Sequence, residues 1–128
     1  MDSRLDDLIA DWVSYHRELE RQGSLANDRD VGSQYLESID AIDEMVREDP
    51  ESGWQAIQVI FSRCENDFQR ACLAAGLLED LLVKHGPEFV ARIELAARND
   101  DGFQELLIGV WRNTIENAVW QRIERLRN

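Results

Sequence analysis

The sequence of 128 residues predicts an all-α fold. Apolar residues recur at spacings of three and four along most of the chain, which is the pattern of amphipathic helices. No stretch alternates apolar and polar residues as a half-buried strand does, and no hairpin turn separates β-branched runs. The length and the 44% hydrophobic content fit a single compact domain over residues 1–128. We expect about six or seven helices in antiparallel pairs, as a bundle or a short HEAT-like stack.

The first two predicted helices each have an acidic side. The first covers residues 3–22, and the second runs from about Ser33 to Glu48 after a polar loop at Ser24 to Ser33. Opposite each apolar face lies a stripe of carboxylates that we expect to point to solvent. These residues are Asp7, Asp11 and Glu18 in the first helix and Glu37, Asp40, Glu44 and Glu48 in the second. They are the predicted partner-binding residues.

Helix-start residues place the next two helices. Asp49 followed by Pro50 predicts the start of a third helix that runs to about Cys64. Asn66 with Gln69 three residues later resembles a capping box and predicts a fourth helix. Gly76 leaves open whether this helix breaks or runs through.

The same kind of signal places the C-terminal helices. The fourth helix is expected to end at Lys84-His85-Gly86, with Gly86 as a left-handed cap. Pro87 then opens a fifth element. Asp100-Asp101 caps a short sixth helix, and Asn113 with Glu116 repeats the capping signal before the last helix.

The charge of the chain argues against direct nucleic-acid binding. The formal net charge is −12, whereas binding to phosphate backbones is driven by Lys and Arg. Residues 1–50 hold 14 acidic and 5 basic residues, while residues 101–128 hold four of each. We therefore expect one strongly negative face and a nearly neutral opposite end.

The sequence indicates a cytoplasmic protein without a membrane segment. The N-terminus lacks the basic and apolar regions of a secretory signal. No apolar run approaches the roughly 18 residues that would span a bilayer. Cys64 and Cys72 lie in apolar-periodic stretches, which favours buried thiols in a reducing compartment over a disulfide.

No motif predicts an enzyme, a metal site or a cofactor. The two histidines and two cysteines lack the paired spacings of zinc sites, and nucleophile and phosphate-loop motifs are absent. Glu79, Asp80 and His85 form the densest titratable group and could perform acid–base chemistry. We favour a structural interpretation, in which Asp80 pairs with Lys84 and His85 lies at a helix end. His16, on an apolar face, is expected to be satisfied by a carbonyl or carboxylate.

Tryptophan is frequent, with four in the chain. Most tryptophans in a domain of this size belong to the core, although Trp and Arg also dominate interface hot spots. Trp111-Arg112 and Trp120 are predicted to be partly exposed. Trp111 and Arg112, with Glu79, Asp80 and His85, are secondary binding candidates.

The block AAGLLEDLLVKHG at residues 74–86 resembles the core of an uncharacterised family of small bacterial all-α domains. Phe103, Leu107, Gly109, Val110 and Trp111 fit the same pattern, and the resemblance covers roughly Trp54 to Leu126. It implies a bacterial origin and an all-α fold, and it implies no activity, because none is established for that family.

These observations predict an acidic protein-binding module. The first interpretation is an immunity or antitoxin-like inhibitor that neutralises a basic toxin or effector through its carboxylate-rich N-terminal face. The alternative is an acidic nucleic-acid mimic that occupies the groove of a defence or nucleic-acid-binding protein. A small enzyme that uses Glu79, Asp80 and His85 is a third possibility, and it predicts an apolar cleft around them.

Overall fold

The computed structural model describes residues 3–22 and 33–127. These residues form helices and contain no strand, so the all-α prediction is confirmed. The helices are α1 (Ser3–Gln22), α2 (Leu36–Glu48), α3 (Pro50–Arg63), α4 (Asp67–Leu73), α5 (Glu79–Asn99), α6 (Asp101–Leu106) and α7 (Asn117–Leu126). A 3-10 turn at Ser33–Tyr35 precedes α2, and another at Leu107–Gly109 follows α6. The predicted loop at 24–33 lies outside the described residues, apart from Ser33.

Three of the predicted helix starts are confirmed by their caps. The Asp49 side chain accepts a hydrogen bond from the Ser52 N–H, with Pro50 in the first helical turn of α3. The Asn66 side chain accepts one from the Gln69 N–H at the start of α4. Asp100 caps α6 by accepting from two backbone N–H groups. In each case a short polar side chain satisfies amides that the first turn of a helix leaves free.

The chain runs through Gly76 without a break. A π-helical turn at Ala74–Leu78 joins α4 to α5. The interruption comes later, at His85, whose φ of −138° and ψ of 24° lie outside the helical region. Pro87 accounts for an interruption in this turn, because proline lacks the helical N–H donor and its ring clashes with the carbonyl four residues earlier. The predicted boundary at residues 84–86 is therefore a kink within α5.

Two local predictions were wrong. Gly86 does not have left-handed geometry. It is buried, and its lack of a side chain leaves room for Val119 of α7, whose Cγ1 atom would lie 3.1 Å from a Cβ at this position. Asn113 does not cap the last helix, which begins at Asn117 without a side-chain cap. Asn113 instead has a positive φ of 47° in the loop before α7. Asn tolerates this conformation better than most residues do.

One hydrophobic core joins the elements. Helices α1, α2 and α3 contact one another, and α5 contacts α2, α3, α6 and α7. All seven described helices contribute residues to this core. Its fully buried side chains include Ile9 of α1, Ile42 of α2, Ile57 of α3 and Phe89 of α5. The core fixes which helix faces remain at the surface.

None of the described helices combines the length and the apolar composition that crossing a membrane requires.

Candidate protein-binding surfaces

The exposed side of α2 carries four carboxylates, which we call the acidic face: Glu37, Asp40, Glu44 and Glu48. None of the four forms an ion pair with a basic residue in the described ranges. Asp40 with Glu44, and Glu44 with Glu48, are like-charge pairs four residues apart. Such pairs destabilise a helix by a few tenths of a kcal/mol each. These two pairs therefore weaken α2 slightly, and no described ion pair offsets them.

The carboxylates predicted on α1 contribute less free charge. Asp7 is exposed and has no described ion-pair partner, so its charge is available to a binding partner. Asp11 accepts a hydrogen bond of 2.5 Å from the Ser38 hydroxyl and thereby ties α1 to α2. Glu18 pairs with Arg21 on its own helix. The predicted stripe of three on α1 is therefore divided between one free carboxylate and two with intramolecular partners.

Several carboxylates elsewhere are paired with arginines. Glu65 pairs with Arg17 at 2.5 Å. The other pairs between separate helices are Asp6 with Arg63, Glu51 with Arg92, and Glu94 with Arg122. The pairing lowers the pKa of Glu65 and of Glu94, because the hydrogen-bonded guanidinium favours the ionised carboxylate. The acidic face differs from these sites because its four carboxylates have no described basic residue within ion-pair distance, although Arg47 lies on the same helix.

Like-charge repulsion is also present where α2 meets α5. The pKa of Asp43 is raised first by burial and then by the charges of Asp80 and Asp40. The pKa of Asp80 is raised by burial and by the charge of Glu79. Lys84 and Arg47 act in the opposite direction on Asp80, and the predicted Asp80–Lys84 ion pair is not among the described ones. The negative region of α2 therefore extends to the surface of α5.

The three residues considered for acid–base chemistry have separate structural contacts. Glu79 is 9% exposed, and its carboxylate accepts from the Trp111 N–H at 3.0 Å and from the Asn113 side-chain amide at 3.2 Å. His85 Nε2 donates to the Arg47 carbonyl at the end of α2, at 2.9 Å. Asp80 is exposed. Glu79 and His85 thus fasten different elements, which favours the structural interpretation of this group.

The remaining histidine and the cysteines are also structural. His16 Nδ1 donates to the Trp12 carbonyl at 2.9 Å, as expected, and burial lowers its pKa. Cys64 and Cys72 are free thiols. Burial raises the pKa of Cys64 to about 11 and also raises that of Cys72, so both are protonated at neutral pH. Across residues 3–22 and 33–127 no group of His, Cys, Asp and Glu is arranged to hold a metal ion.

A second surface surrounds Trp111, in the loop between the 3-10 turn and α7. Trp111 is 75% exposed, and the neighbouring Ile108 is 57% exposed. An open pocket of about 260 Å³ lies between them and is lined by Ile108, Val110, Trp111, Arg112, Trp120 and Arg127, which we call the Trp111 pocket. The predicted exposure of Trp111 and Arg112 is confirmed, whereas Trp120 is buried. The pocket lies on the loop that Glu79 fastens.

Sequence reasoning missed the contact between Glu79 and this loop. Glu79 lies more than thirty residues before Trp111 and Asn113 in the sequence. Helical spacing rules connect only residues three or four positions apart, so they could not predict this contact. The one local feature of the sequence at this loop was Asn113 in a polar stretch, which we interpreted as a helix cap. An Asn with positive φ is common in loops as well.

These features define an all-α protein with an acidic helix face whose carboxylates have no described ion pair, and with an exposed aromatic loop. The chain belongs to DUF6869, a family of unknown function whose model matches residues 27–128. The matched range contains α2 to α7 and leaves α1 outside. No curated protein and no solved structure matches the chain. The resemblance to an uncharacterised family is thus confirmed, and its bacterial origin stays a prediction.

Proposed function

We propose that this protein is an acidic protein-binding module that neutralises a basic partner, in the manner of an immunity or antitoxin-like inhibitor. The observation that carries the proposal is the acidic face of α2. Four exposed carboxylates there lack a described ion-pair partner, although the chain pairs its carboxylates with arginines at several other helix contacts. A partner rich in Lys and Arg would supply the missing cations.

The position of the carboxylates on one side of the protein also determines how the complex would form. Charges on one side of a compact protein attract an oppositely charged partner before contact, which raises the association rate and makes it fall with salt. The core holds α2 against α1, α3 and α5, so the carboxylates are presented on a preformed surface. Little conformational entropy would then be lost on binding. These are the properties expected of a module that must intercept a harmful basic protein quickly.

The test is capture of the partner with charge-reversed variants. The full chain and the variant Glu37→Lys/Asp40→Lys/Glu44→Lys are immobilised and exposed to a lysate of cells that encode the protein, at low and at high salt. Mass spectrometry identifies the retained proteins. We expect one basic protein to bind the unmodified chain at low salt and to be lost both at high salt and with the variant.

A matched variant controls for net charge. Glu88→Lys/Glu105→Lys/Glu124→Lys changes the net charge by the same amount at exposed positions outside α2, and the one described contact that it removes is that of Glu88 with His85, at 3.7 Å. It should retain the partner with about the same affinity. Equal capture by the α2 variant, or equal loss with the control, would show that the acidic face is not the binding surface. Circular dichroism of both variants checks that they fold.

The captured partner also separates inhibition from nucleic-acid mimicry. If the partner is a toxin or effector, adding the chain should abolish its activity without competition from nucleic acid. If it is a DNA- or RNA-binding protein, a duplex oligonucleotide should displace the chain from the same site. Displacement of this kind would favour mimicry over the immunity role.

A further inference from the structure

The Trp111 pocket has features that the acidic face does not explain. A tryptophan that is 75% exposed leaves a large apolar surface in water, although Trp gains more from burial than almost any other residue. Ile108 adds a second exposed apolar side chain beside it. The floor of the pocket contains Val110 and Trp120, both of which are buried. The result is an apolar depression with an aromatic ring at its edge.

Two arginines line the same pocket without a carboxylate partner. The Arg127 guanidinium lies 5.1 Å above the Trp120 ring and donates to the Ile108 carbonyl at 3.0 Å. Arg112 reaches only the Asn117 side-chain oxygen, at 3.5 Å. Neither arginine forms an ion pair with an acidic residue in the described part of the chain. Other arginines of the chain also lack a described ion pair, but these two line a single pocket, where their guanidinium groups could meet one external anion.

The loop that presents Trp111 is fixed from beneath. Glu79, itself 9% exposed, holds the Trp111 N–H with one carboxylate oxygen and the Asn113 side chain with the other. On the far side of the turn the Ile115 N–H donates to the Arg112 carbonyl at 2.9 Å, and Ile115 is buried. A buried carboxylate thus stabilises a loop whose most prominent side chain contacts solvent. Such fixed presentation reduces the entropy that binding would cost.

We propose that the Trp111 pocket binds a peptide segment of a partner protein in which an acidic side chain adjoins a large apolar one. The carboxylate of the segment contacts Arg112 and Arg127, whose guanidinium groups recognise carboxylates through paired hydrogen bonds. The apolar side chain packs on Trp111 and Ile108. The site is separate from α2, and the inference does not depend on the function proposed for the acidic face.

Charge favours a peptide over a nucleic acid in this pocket. A Trp ring and guanidinium groups also suit a base and a phosphate. A polynucleotide, however, presents a row of phosphates and is bound mainly by many Lys and Arg contacts, whereas this pocket offers two arginines. One carboxylate can be neutralised locally by the two arginines. A pocket of about 260 Å³ also has room for only a few side chains.

The experiment is a selection of short random peptides displayed on phage against the immobilised full chain. We expect enriched peptides to contain Asp or Glu beside an aromatic or aliphatic residue. Synthetic copies are then titrated by tryptophan fluorescence and by calorimetry. Trp111→Ala and Arg112→Glu should each weaken binding by about tenfold or more, as removal of an interface hot spot does. Both positions are exposed, so the variants should fold.

Two control variants make the result specific. Arg125→Glu makes the same charge change at an exposed position of α7 outside the pocket lining, and it should alter affinity by less than about twofold. Glu37→Lys/Asp40→Lys/Glu44→Lys should also retain peptide binding. If this α2 variant still binds the peptides but no longer captures a basic partner, the Trp111 pocket and the acidic face are independent binding sites.

Three results would overturn the proposal. The first is enrichment of no peptide above the level found with the Trp111→Ala chain. The second is enriched peptides that lack a carboxylate or that bind Arg112→Glu as tightly as the unmodified chain. The third is binding of a single-stranded oligonucleotide that Trp111→Ala abolishes, which would assign the pocket to nucleic acid instead.

Discussion

Two glycines of the protein have opposite surroundings, and this difference predicts opposite effects of one substitution. A Cβ at Gly53 of α3 would lie 2.8 Å from the Val46 Cα of α2, so the two backbones must move apart. A Cβ at Gly76, in the π-helical turn, would meet no atom within 4 Å. Gly53→Ala should lower the free energy of unfolding by about 1–3 kcal/mol through overpacking. Gly76→Ala should raise it by up to about 1 kcal/mol through helix propensity.

Urea unfolding followed by circular dichroism measures both changes. Each variant is the control for the other, because the chemical change is the same and only the surroundings differ. Equal effects of the two substitutions would contradict the close approach of α2 and α3 at Gly53.

Glu79 provides a second prediction at the residue scale. Glu79→Ala removes both hydrogen bonds from the Trp111 loop and should destabilise the protein by about 2 kcal/mol, because hydrogen bonds to charged groups are worth about that much. Glu79→Gln keeps one oxygen for the Trp111 N–H and should cost less. Amide hydrogen exchange at residues 110–113 should accelerate in the Ala variant. Unchanged exchange there would show that the loop is held by other contacts.

Single residues also show how far sequence reasoning reaches. Asp49, Asn66 and Asp100 were predicted as caps, and each accepts a hydrogen bond from an amide two or three residues ahead. Those contacts are local, so spacing reveals them. The contacts of Glu79 with Trp111 and of His85 with the Arg47 carbonyl cross between elements. They depend on how helices pack, which no spacing in the sequence encodes.

The contact between α2 and α5 gives a prediction for pH. In the folded chain the pKa of Asp43 and of Asp80 is raised above the ordinary value of 3.8. A group with a raised pKa binds protons more strongly when folded, so its stabilising effect is present at low pH and is lost as pH rises through the folded pKa. At neutral pH both carboxylates therefore oppose folding.

Neutral variants should relieve both the cost of burying these charges and the repulsion between them. Asp43→Asn and Asp80→Asn should each be more stable than the unmodified chain at pH 7, and the differences should shrink towards about pH 4, where the carboxyls gain protons. Because the Asp80 charge raises the pKa of Asp43, the double variant should gain less than the sum of the two. Urea unfolding at both pH values measures this. Additive gains, or gains that persist at low pH, would refute the repulsion.

At the scale of elements, the sequence predicted which segments are helical better than it predicted how consecutive helices are connected. Apolar periodicity identified the helices, and Pro87 marked an interruption close to its true position at His85. Periodicity could not show whether Gly76 ends a helix, because a π-helical turn keeps the chain helical while shifting the phase of its faces. For the last helix, Asn113 and Glu116 resembled a capping box, but Asn113 serves the loop and α7 begins at Asn117.

At the scale of the whole molecule, two surfaces differ in kind. The acidic face lies on α2, where described ion pairs are absent, and the Trp111 pocket lies between α6 and α7 with two unneutralised arginines. Composition predicted the first surface, because 14 of the 26 acidic residues fall within residues 1–50. The Trp111 pocket could not be predicted from composition, because it forms where the loop packs beside Trp120 of the last helix and Arg127 at its C-terminal end.

The unequal charge distribution leads to a prediction about salt. With a net charge of −12, folding brings carboxylates together, and salt screens their repulsion. The melting temperature should therefore rise between about 20 mM and 200 mM NaCl, where the screening length shortens from roughly 20 Å to less than 10 Å. Glu37→Lys/Asp40→Lys/Glu44→Lys brings the net charge to −6, because each reversal adds two positive charges. Its melting temperature should depend much less on salt.

The variant Glu88→Lys/Glu105→Lys/Glu124→Lys separates the distribution of charge from its total. It also has a net charge of −6 but leaves the acidic face intact. If repulsion is concentrated on α2, this variant should keep most of the salt dependence of the unmodified chain. Differential scanning fluorimetry across a salt series measures the slope for all three proteins. Equal slopes for the two variants would mean that the total net charge, and not its position on α2, determines how stability depends on salt. The role of the acidic face in binding would then depend on the capture experiment alone.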